Sequence, residues 1–262
     1  MKLGFIGTGA ITEAIVTGLL ASDLDLAEII VSERNRAVSA RLAEASDLVR
    51  ICADNQDIVD ASDLLILAIR PQDAHAVVSP LGFRNGQHIC SLIATVPAGT
   101  LQDWIAAPVQ IFRSIPLPSV ATRCGVTALF PHDPLGKRIF SSLGKVVSAQ
   151  TLDEFDAFAI SSALMGTYFG FLEMAADWMC GTGIDPDSAK SYLDGVFLGL
   201  AQTSSAAETT GYAGLREEHS TPGGLNEQMF EVFFAAGGPD AISAALESVA
   251  ARVHDGHRPE GK

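Results

Sequence analysis

Basic residues are scarce in this 262-residue chain. Only 17 Lys and Arg face 31 Asp and Glu, a formal net charge of −14, and no basic run is longer than the pair Lys137-Arg138. Such a chain lacks the clustered cations that neutralise phosphates or anionic headgroups, so neither nucleic acid nor a membrane surface is expected as a partner. Cysteine is sparse too. Cys52, Cys90, Cys124 and Cys180 form no CxxC pair, which leaves out a disulfide framework and predicts reduced, buried thiols in a cytoplasmic protein. Long apolar runs are missing: stretches such as Leu64 to Ile69 and Val196 to Ala201 stop short of the ~18 residues a membrane span needs. The opening MKLGFIGTGA has no basic region followed by an unbroken apolar segment, so no targeting peptide is expected. Histidines at 75, 88, 132, 219, 254 and 257 fall at no HxxxH or HExxH spacing, and no metal is expected. With no GxSxG elbow and no P-loop, hydrolase and kinase chemistry have nothing to stand on.

What is abundant is apolar. Hydrophobic residues make up 48% of the chain and charged ones 18%, which excludes a disordered or collagen-like polymer and provides for one large or two ordinary domains. Up to about Ser148 short apolar runs (KLGFI, EIIVS, LVRIC, DLLILAI, HICSLIA, VQIF, VTALF, KVVS) are interleaved with segments of helical period such as ITEAIVTGLLA and RAVSARLAEA. That alternation predicts βαβ units and a parallel sheet covered on both faces. Pro71 should end one strand segment and open the next helix. Beyond Thr151 the texture changes to helices that are apolar nearly all round, with Asp185-Pro186 as the start signal of a long one. Helices of this kind must be buried on more than one face, which predicts an obligate oligomer. The end, HDGHRPEGK at 254–262, reads as a frayed tail.

Gly7-Thr8-Gly9-Ala10-Ile11-Thr12 follows the first predicted strand and opens a helix, inside a βαβ unit of the right size for a dinucleotide site. Gly7 permits the tight turn, Gly9 lets the backbone approach a pyrophosphate, and the helix amides meet the negative charge. Thr12 stands where a third glycine is usual, and Ala14 supplies a small residue one turn along. The second strand runs into Ser32-Glu33-Arg34-Asn35-Arg36. If Glu33 faces the ribose, NAD is favoured; if Ser32, Arg34 and Arg36 converge, NADP is, and the balance of residues leans to NADP.

With these motifs the chain resembles the pyrroline-5-carboxylate reductase family, collinearly from Met1 to about Val253. The resemblance rests on GTGAITEAI at 7–15, Asn55 after the third strand, LAIRPQ at 67–72, FRSIP at 112–116 and TPGG at 221–224. It implies an α/β fold, with an amino-terminal doubly wound Rossmann-type domain at 1–150 and an all-helical dimerisation and substrate domain at 151–262. The active site is expected between them. It also implies an NAD(P)H-dependent enzyme that reduces the C=N bond of a cyclic imino acid, as a homodimer or higher oligomer. Carried over by position, the cofactor residues are Gly7, Thr8, Gly9, Ala10, Ile11, Ser32, Glu33, Arg34, Asn55, Ala68, Ile69, Arg70 and Pro71, with Arg70 in place of the usual lysine.

The departures lie where the family holds its substrate. Residues 163–168 read ALMGTY in place of GSGPAY, Leu117 replaces an asparagine, and Leu225-Asn226 follow the glycines of TPGG. Thr221 and the amides of Gly223, Gly224 and Leu225, at a helix start, form a cradle for a carboxylate. Tyr168, Asn226 and Glu208 are the candidate catalytic side chains, each weighed against a blander role: a core aromatic, a residue capping its own helix, and a solvated glutamate. Two other readings remain open at this point. One is a β-hydroxyacid-type dehydrogenase, disfavoured because Lys190 sits too far along to be its lysine; the other is a catalytically silent cofactor-binding sensor or assembly protein.

Overall fold

The structure, a computed structural model, describes residues 1–256. Its first part alternates strand and helix: β1 (Lys2–Ile6), α1 (Ala10–Leu20), β2 (Glu28–Ser32), α2 (Arg36–Ala45), β3 (Val49–Cys52), α3 (Asn55–Ala61), β4 (Leu64–Leu67), α4 (Pro71–Val78), β5 (His88–Ser91) and α5 (Ala98–Trp104). There follow β6 (Gln110–Pro116), a 3-10 turn (Pro118–Thr122), β7 (Gly125–Phe130), α6 (Pro134–Ser141) and β8 (Gly144–Ser148). Each of the eight apolar runs read from the sequence supplies a strand of one sheet, ordered β3-β2-β1-β4-β5-β6-β7-β8. The order reverses between β1 and β4, and in such sheets that switch point opens the crevice where a dinucleotide binds.

One expectation needs correcting, because the sheet is not wholly parallel. β7 runs antiparallel to β6, with Arg113 opposite Phe130 and Pro116 opposite Thr127, while β8 is parallel to β7. The physical reason is length: residues 117–124 between the two strands are fewer than the dozen or so a parallel crossover requires.

Burial explains why the strands read as unbroken apolar runs. In β4, Leu64 and Ile66 pack with Phe5, Ile15 and Leu19 on one side of the sheet. Leu65 and Leu67 pack with Ile58, Val78 and Ile89 on the other. A strand covered on both faces has no polar positions to alternate with. Glu28 on β2 joins its neighbours electrostatically, bonding Arg50 of β3 at 2.6 Å and pairing with Lys2 of β1 at 3.3 Å. The Arg50 hydrogen bond, foremost, holds the Glu28 carboxyl below its ordinary range.

The cysteines divide between core and surface. Cys52 and Cys90 are buried, but Cys124 is exposed and Cys180 half-buried, so the expectation of four buried thiols is corrected. Burial pushes the Cys90 thiol up to about 12, which keeps it protonated and unreactive at neutral pH.

The rest is helical: α7 (Leu152–Ser162), α8 (Leu164–Gly181), α9 (Pro186–Ala206), α10 (Tyr212–Glu218), α11 (Leu225–Ala235) and α12 (Gly238–Gly256). Asp185 caps α9 by accepting from the Ser188 amide at 3.0 Å, and Pro186 takes the first turn as the sequence signals. α12 carries the helix through His254 to Gly256, which corrects the start of the expected frayed tail; the remainder of that tail lies outside the described residues. Two compact units result: Met1–Ser162 together with the chain from Ala250, and Ala163–Val249.

The second unit has almost no interior. Neither α8, α10 nor α11 contains a buried residue, and α9 contains only Ala189. Trp178 is 73% exposed and Phe169 67%. The apolar circumferences expected to be buried are therefore open in the single chain. A correction also attaches to the expected shortness of apolar runs: taken across the break at Ala163, Leu152–Gly181 is long and apolar enough to cross a membrane by length and composition alone.

Candidate cofactor and substrate sites

The loop from β1 to α1 is shaped by what glycine alone tolerates. Gly7 has φ +100°, and a Cβ there would stand 2.2 Å from the Ala68 carbonyl oxygen. Gly9 caps α1 with no side-chain bond of its own, and a Cβ built on it would meet nothing within 4 Å. The first glycine is thus fixed by the protein, whereas the second faces open space in front of free helix amides, the arrangement that receives a pyrophosphate. Thr12 is buried and donates from its hydroxyl to the Gly7 carbonyl at 2.7 Å. In place of a third glycine, it ties the turn to the helix.

Ser32 corrects the reading made for it. It is 4% exposed, and its hydroxyl oxygen accepts from the Gly7 amide at 3.0 Å while Thr8 donates to its carbonyl. Both hydroxyls are spent shaping the glycine turn and are not turned outward to a ribose or phosphate. Ala10, exposed, begins α1, and Ile11 is partly exposed behind it.

Beside this loop lies a cleft of about 420 Å³ lined by Gly7, Ser32, Glu33, Arg34, Arg36, Asn55 and Ile69, among others. Glu33 is paired with Arg36 at 3.2 Å. Asp73, in the first turn of α4, takes two cations, Arg34 at 3.0 Å and Arg70 at 3.1 Å. Three guanidiniums against two carboxylates leave this cluster net cationic within a strongly acidic chain. Ala68 continues the β1 register, its amide donating to Ile6 at 2.9 Å, and Pro71 stands at the start of α4. Asp73 escaped the sequence reading; an acid three residues past Arg70 was the available signal.

A second cavity, of about 210 Å³, lies where β5 and β6 end, lined by Ile11, Ser91, Thr95, Arg113, Ser114 and Phe155, among others. Arg113 is 5% exposed, with its guanidinium carbon 4.8 Å from the centre of the Phe155 ring. Burial lowers its pKa from the ordinary arginine value, and Asp156 opposes that shift. Thr95 has φ +64°, a left-handed conformation that a β-branched residue adopts only under constraint. Neither residue was singled out as a site. Thr95→Gly is expected to raise stability by about 1 kcal/mol, the left-handed penalty of an L-residue less the extra chain entropy of glycine. Thermal denaturation checks this, and a lower melting temperature contradicts it.

In the helical unit Tyr168 is half-exposed on α8, edge-on to Phe169 and Phe197. It lines an apolar cavity of about 600 Å³ with Leu164, Phe171 and Phe233. Glu208 lies exposed in the loop before α10. Asn226 neither caps its own helix nor keeps its side-chain amide free: it donates to the His219 carbonyl at 2.7 Å, joining the start of α11 to the end of α10. No hydrogen bond unites Tyr168, Asn226 and Glu208 among the described residues. At TPGG, Gly223 has φ +72°, its amide donates to Glu227 Oε2 at 2.6 Å, and the Gly224 amide donates to Thr221 at 2.7 Å. Two of the three amides of the expected carboxylate cradle are therefore already bonded, while Leu225 is 83% exposed. Lys190 is paired with Asp194, which raises its pKa from the ordinary value.

The doubly wound sheet, the glycine turn at its switch point and the cleft beside it define a protein of the Rossmann dinucleotide-binding class. Two family models match: one described as NADP oxidoreductase, coenzyme F420-dependent, over residues 2–95, and one described as pyrroline-5-carboxylate reductase dimerisation, over residues 153–255. The carboxy-terminal part of the chain is thus similar to the dimerisation domain of pyrroline-5-carboxylate reductases, and its amino-terminal part to an NADP oxidoreductase domain. Pyrroline-5-carboxylate reductase 2 of Bacillus subtilis is 27% identical, over 96% of this chain and 93% of that protein. The Pseudomonas aeruginosa pyrroline-5-carboxylate reductase is 26% identical, over 96% and 95%. The solved 1-pyrroline-5-carboxylate reductase of Streptococcus pyogenes superposes with a TM-score of 0.84 at 23% identity, over 97% of this chain and 98% of that one.

Proposed function

We propose that this chain reduces the C=N bond of a cyclic imino acid, pyrroline-5-carboxylate foremost, and that NADPH is its preferred reductant. The observation that carries the reading is the pairing of a dinucleotide cradle, Gly7 to Ile11 with Gly9 open in front of the α1 amides, with a carboxy-terminal half that matches a dimerisation domain of this one family. The preference for NADPH is supported by the state of Glu33. An acid at the end of the second strand selects NAD by accepting from the ribose 2′-hydroxyl, but here its carboxylate is paired with Arg36. Arg34, Arg36 and Arg70 leave an excess of cationic charge where a 2′-phosphate would lie.

When bound, the reduced nicotinamide supplies a hydride to the imine carbon. Gly7, Thr8, Gly9, Ala10 and Ile11 present the backbone that takes the pyrophosphate. Glu33, Arg34, Asn55 and the stretch Ala68 to Pro71 hold the adenosine side of the cofactor. The cavity beside Ser91, Thr95 and Ser114 receives its other end. A substrate that arrives protonated at nitrogen becomes the neutral amine when the hydride joins carbon, so no side chain must give up a proton in that step. Positioning carries most of the acceleration.

Residues 1–150 serve the cofactor and 151–262 serve substrate and association, in a cytoplasmic homodimer. Association is supported by the helical unit, whose exposed Phe169, Met174, Trp178 and Phe234 exceed what a soluble monomer ordinarily leaves wet. The β-hydroxyacid dehydrogenase reading loses support from Lys190, which is engaged by Asp194. The deciding experiment follows loss of reduced-nicotinamide absorbance with NADPH and NADH in parallel, against pyrroline-5-carboxylate, pyrroline-2-carboxylate and piperideine-2-carboxylate. Turnover of the first with NADPH is the expected result. Silence with all three while NADPH binds overturns the reaction and leaves a cofactor-binding sensor.

A further inference from the structure

We infer that Arg113 is a cofactor-binding residue: its Nη1 donates to the carbonyl oxygen of the nicotinamide carboxamide and fixes that ring in the cavity at the ends of β5 and β6. The inference rests on the nicotinamide-dinucleotide reading and deepens it. Every residue lining the cavity belongs to the first compact unit. Ile11, in the first turn of α1, is one of them, while Gly7 lines the cleft on the β2 side of the same turn. β2 stands on one flank of β1, and β4, β5 and β6 on the other. A dinucleotide laid across the glycine turn therefore puts its adenosine in the cleft and its nicotinamide in the cavity.

Inside the cavity one donor lacks an acceptor. Arg113 is 5% exposed, and its Nη1 is buried with no hydrogen-bond partner among the described residues. Leaving a buried donor unsatisfied is costly, and a bound acceptor removes that cost. The guanidinium is held in place: its carbon lies 4.8 Å from the centre of the Phe155 ring, itself buried against Ala128 and Ala149. Other polar groups on the wall are engaged, the Ser91 hydroxyl accepting from the Ile93 amide at 3.2 Å and the Ser114 hydroxyl pairing with Cys90 Sγ at 3.1 Å. Charge selects the kind of acceptor. Asp156, 2% exposed on the same wall, already balances the arginine, opposing the lowering of its pKa by burial. A neutral acceptor completes the site, whereas a carboxylate or phosphate would leave an unbalanced negative charge in a buried place. The carboxamide is the one neutral carbonyl that the dinucleotide carries.

The test compares NADPH with 2′-phospho-ADP-ribose, which lacks the nicotinamide, by calorimetric titration of the native protein, Arg113→Lys and Arg113→Gln. The lysine variant keeps a charge beside Asp156 but not the planar fork. Both variants are expected to bind NADPH about tenfold more weakly and the truncated ligand within about twofold of native. Unchanged NADPH affinity in both, or an equal loss for the two ligands, overturns the proposal. Should neither variant fold, NADP analogues titrated into the native protein decide. One with an acetyl group for the carboxamide keeps the carbonyl and is expected to bind within about threefold of NADP; one with a carboxylate there should bind about tenfold more weakly. A carboxylate analogue as tight as NADP, or an acetyl analogue as weak as the carboxylate one, overturns the assignment. If the native protein binds 2′-phospho-ADP-ribose as tightly as NADPH, the cofactor reading stands and the role of Arg113 falls. If it binds neither, the cofactor reading and the proposal fall together.

Discussion

Gly7→Ala is expected to destabilise the protein by about 3 kcal/mol or more and to abolish measurable cofactor binding. Two effects add. The backbone at φ +100° disfavours any residue with a Cβ, and the new methyl would stand 2.2 Å from the Ala68 carbonyl oxygen, a backbone atom that cannot swing aside. Relief requires β1 and β4 to separate at the switch point, which displaces the glycine turn that the Ser32 hydroxyl holds. Gly9→Ala is the informative contrast. Its φ of −96° suits any residue and its Cβ meets nothing, so stability should move by no more than about 0.5 kcal/mol. The methyl would still stand where the pyrophosphate approaches, and NADPH affinity should fall by about tenfold to a hundredfold. Melting curves and fluorescence titrations of both variants separate the two roles. A Gly9→Ala protein that binds NADPH normally would show that the cofactor does not approach this loop.

Arg34→Ala is expected to weaken NADPH by about tenfold or more and NADH by less than about twofold, because a charge-assisted bond to a 2′-phosphate is worth about 1.5–3 kcal/mol. The exposure of Arg34 and its competing bond to Asp73 place the effect at the lower end of that range. The asymmetry matters more than the size. An equal loss for the two cofactors would mean that Arg34 acts only by steadying Asp73 and Arg70, and the assignment of NADPH would then rest on Arg36 and Arg70.

The central strands were legible because they are runs of apolar residues covered on both sides, a pattern of composition that needs no knowledge of partners; the edge strands β3 and β8 are only partly buried. The reversal of β7 depends on the brevity of residues 117–124 and not on any residue type, so reading run by run missed it. Ser32 shows a different limit. Serine at the end of the second strand fits a phosphate site by type, but its hydroxyl is claimed by the Gly7 amide, 25 positions away in the chain. Asp73 meets Arg34, which lines the cleft, only because β2 and β4 flank β1 and bring Arg34 to the first turn of α4. Glu227 was within reach, since a glutamate three residues past the Gly224 cap is a helix-start signature. Its bond from the Gly223 amide depends on the left-handed turn at that glycine.

The scarcity of buried side chains between Ala163 and Val249 has a consequence beyond the fold. A segment whose apolar surface faces outward has little stability that it can call its own, and whatever covers that surface enters its unfolding equilibrium as a reactant. For a second copy of the chain as the cover, the melting temperature belongs to a concentration and not to a sequence. Dilution then acts as a denaturant of the helical half, while the sheet, with its core closed on both faces, remains indifferent to it.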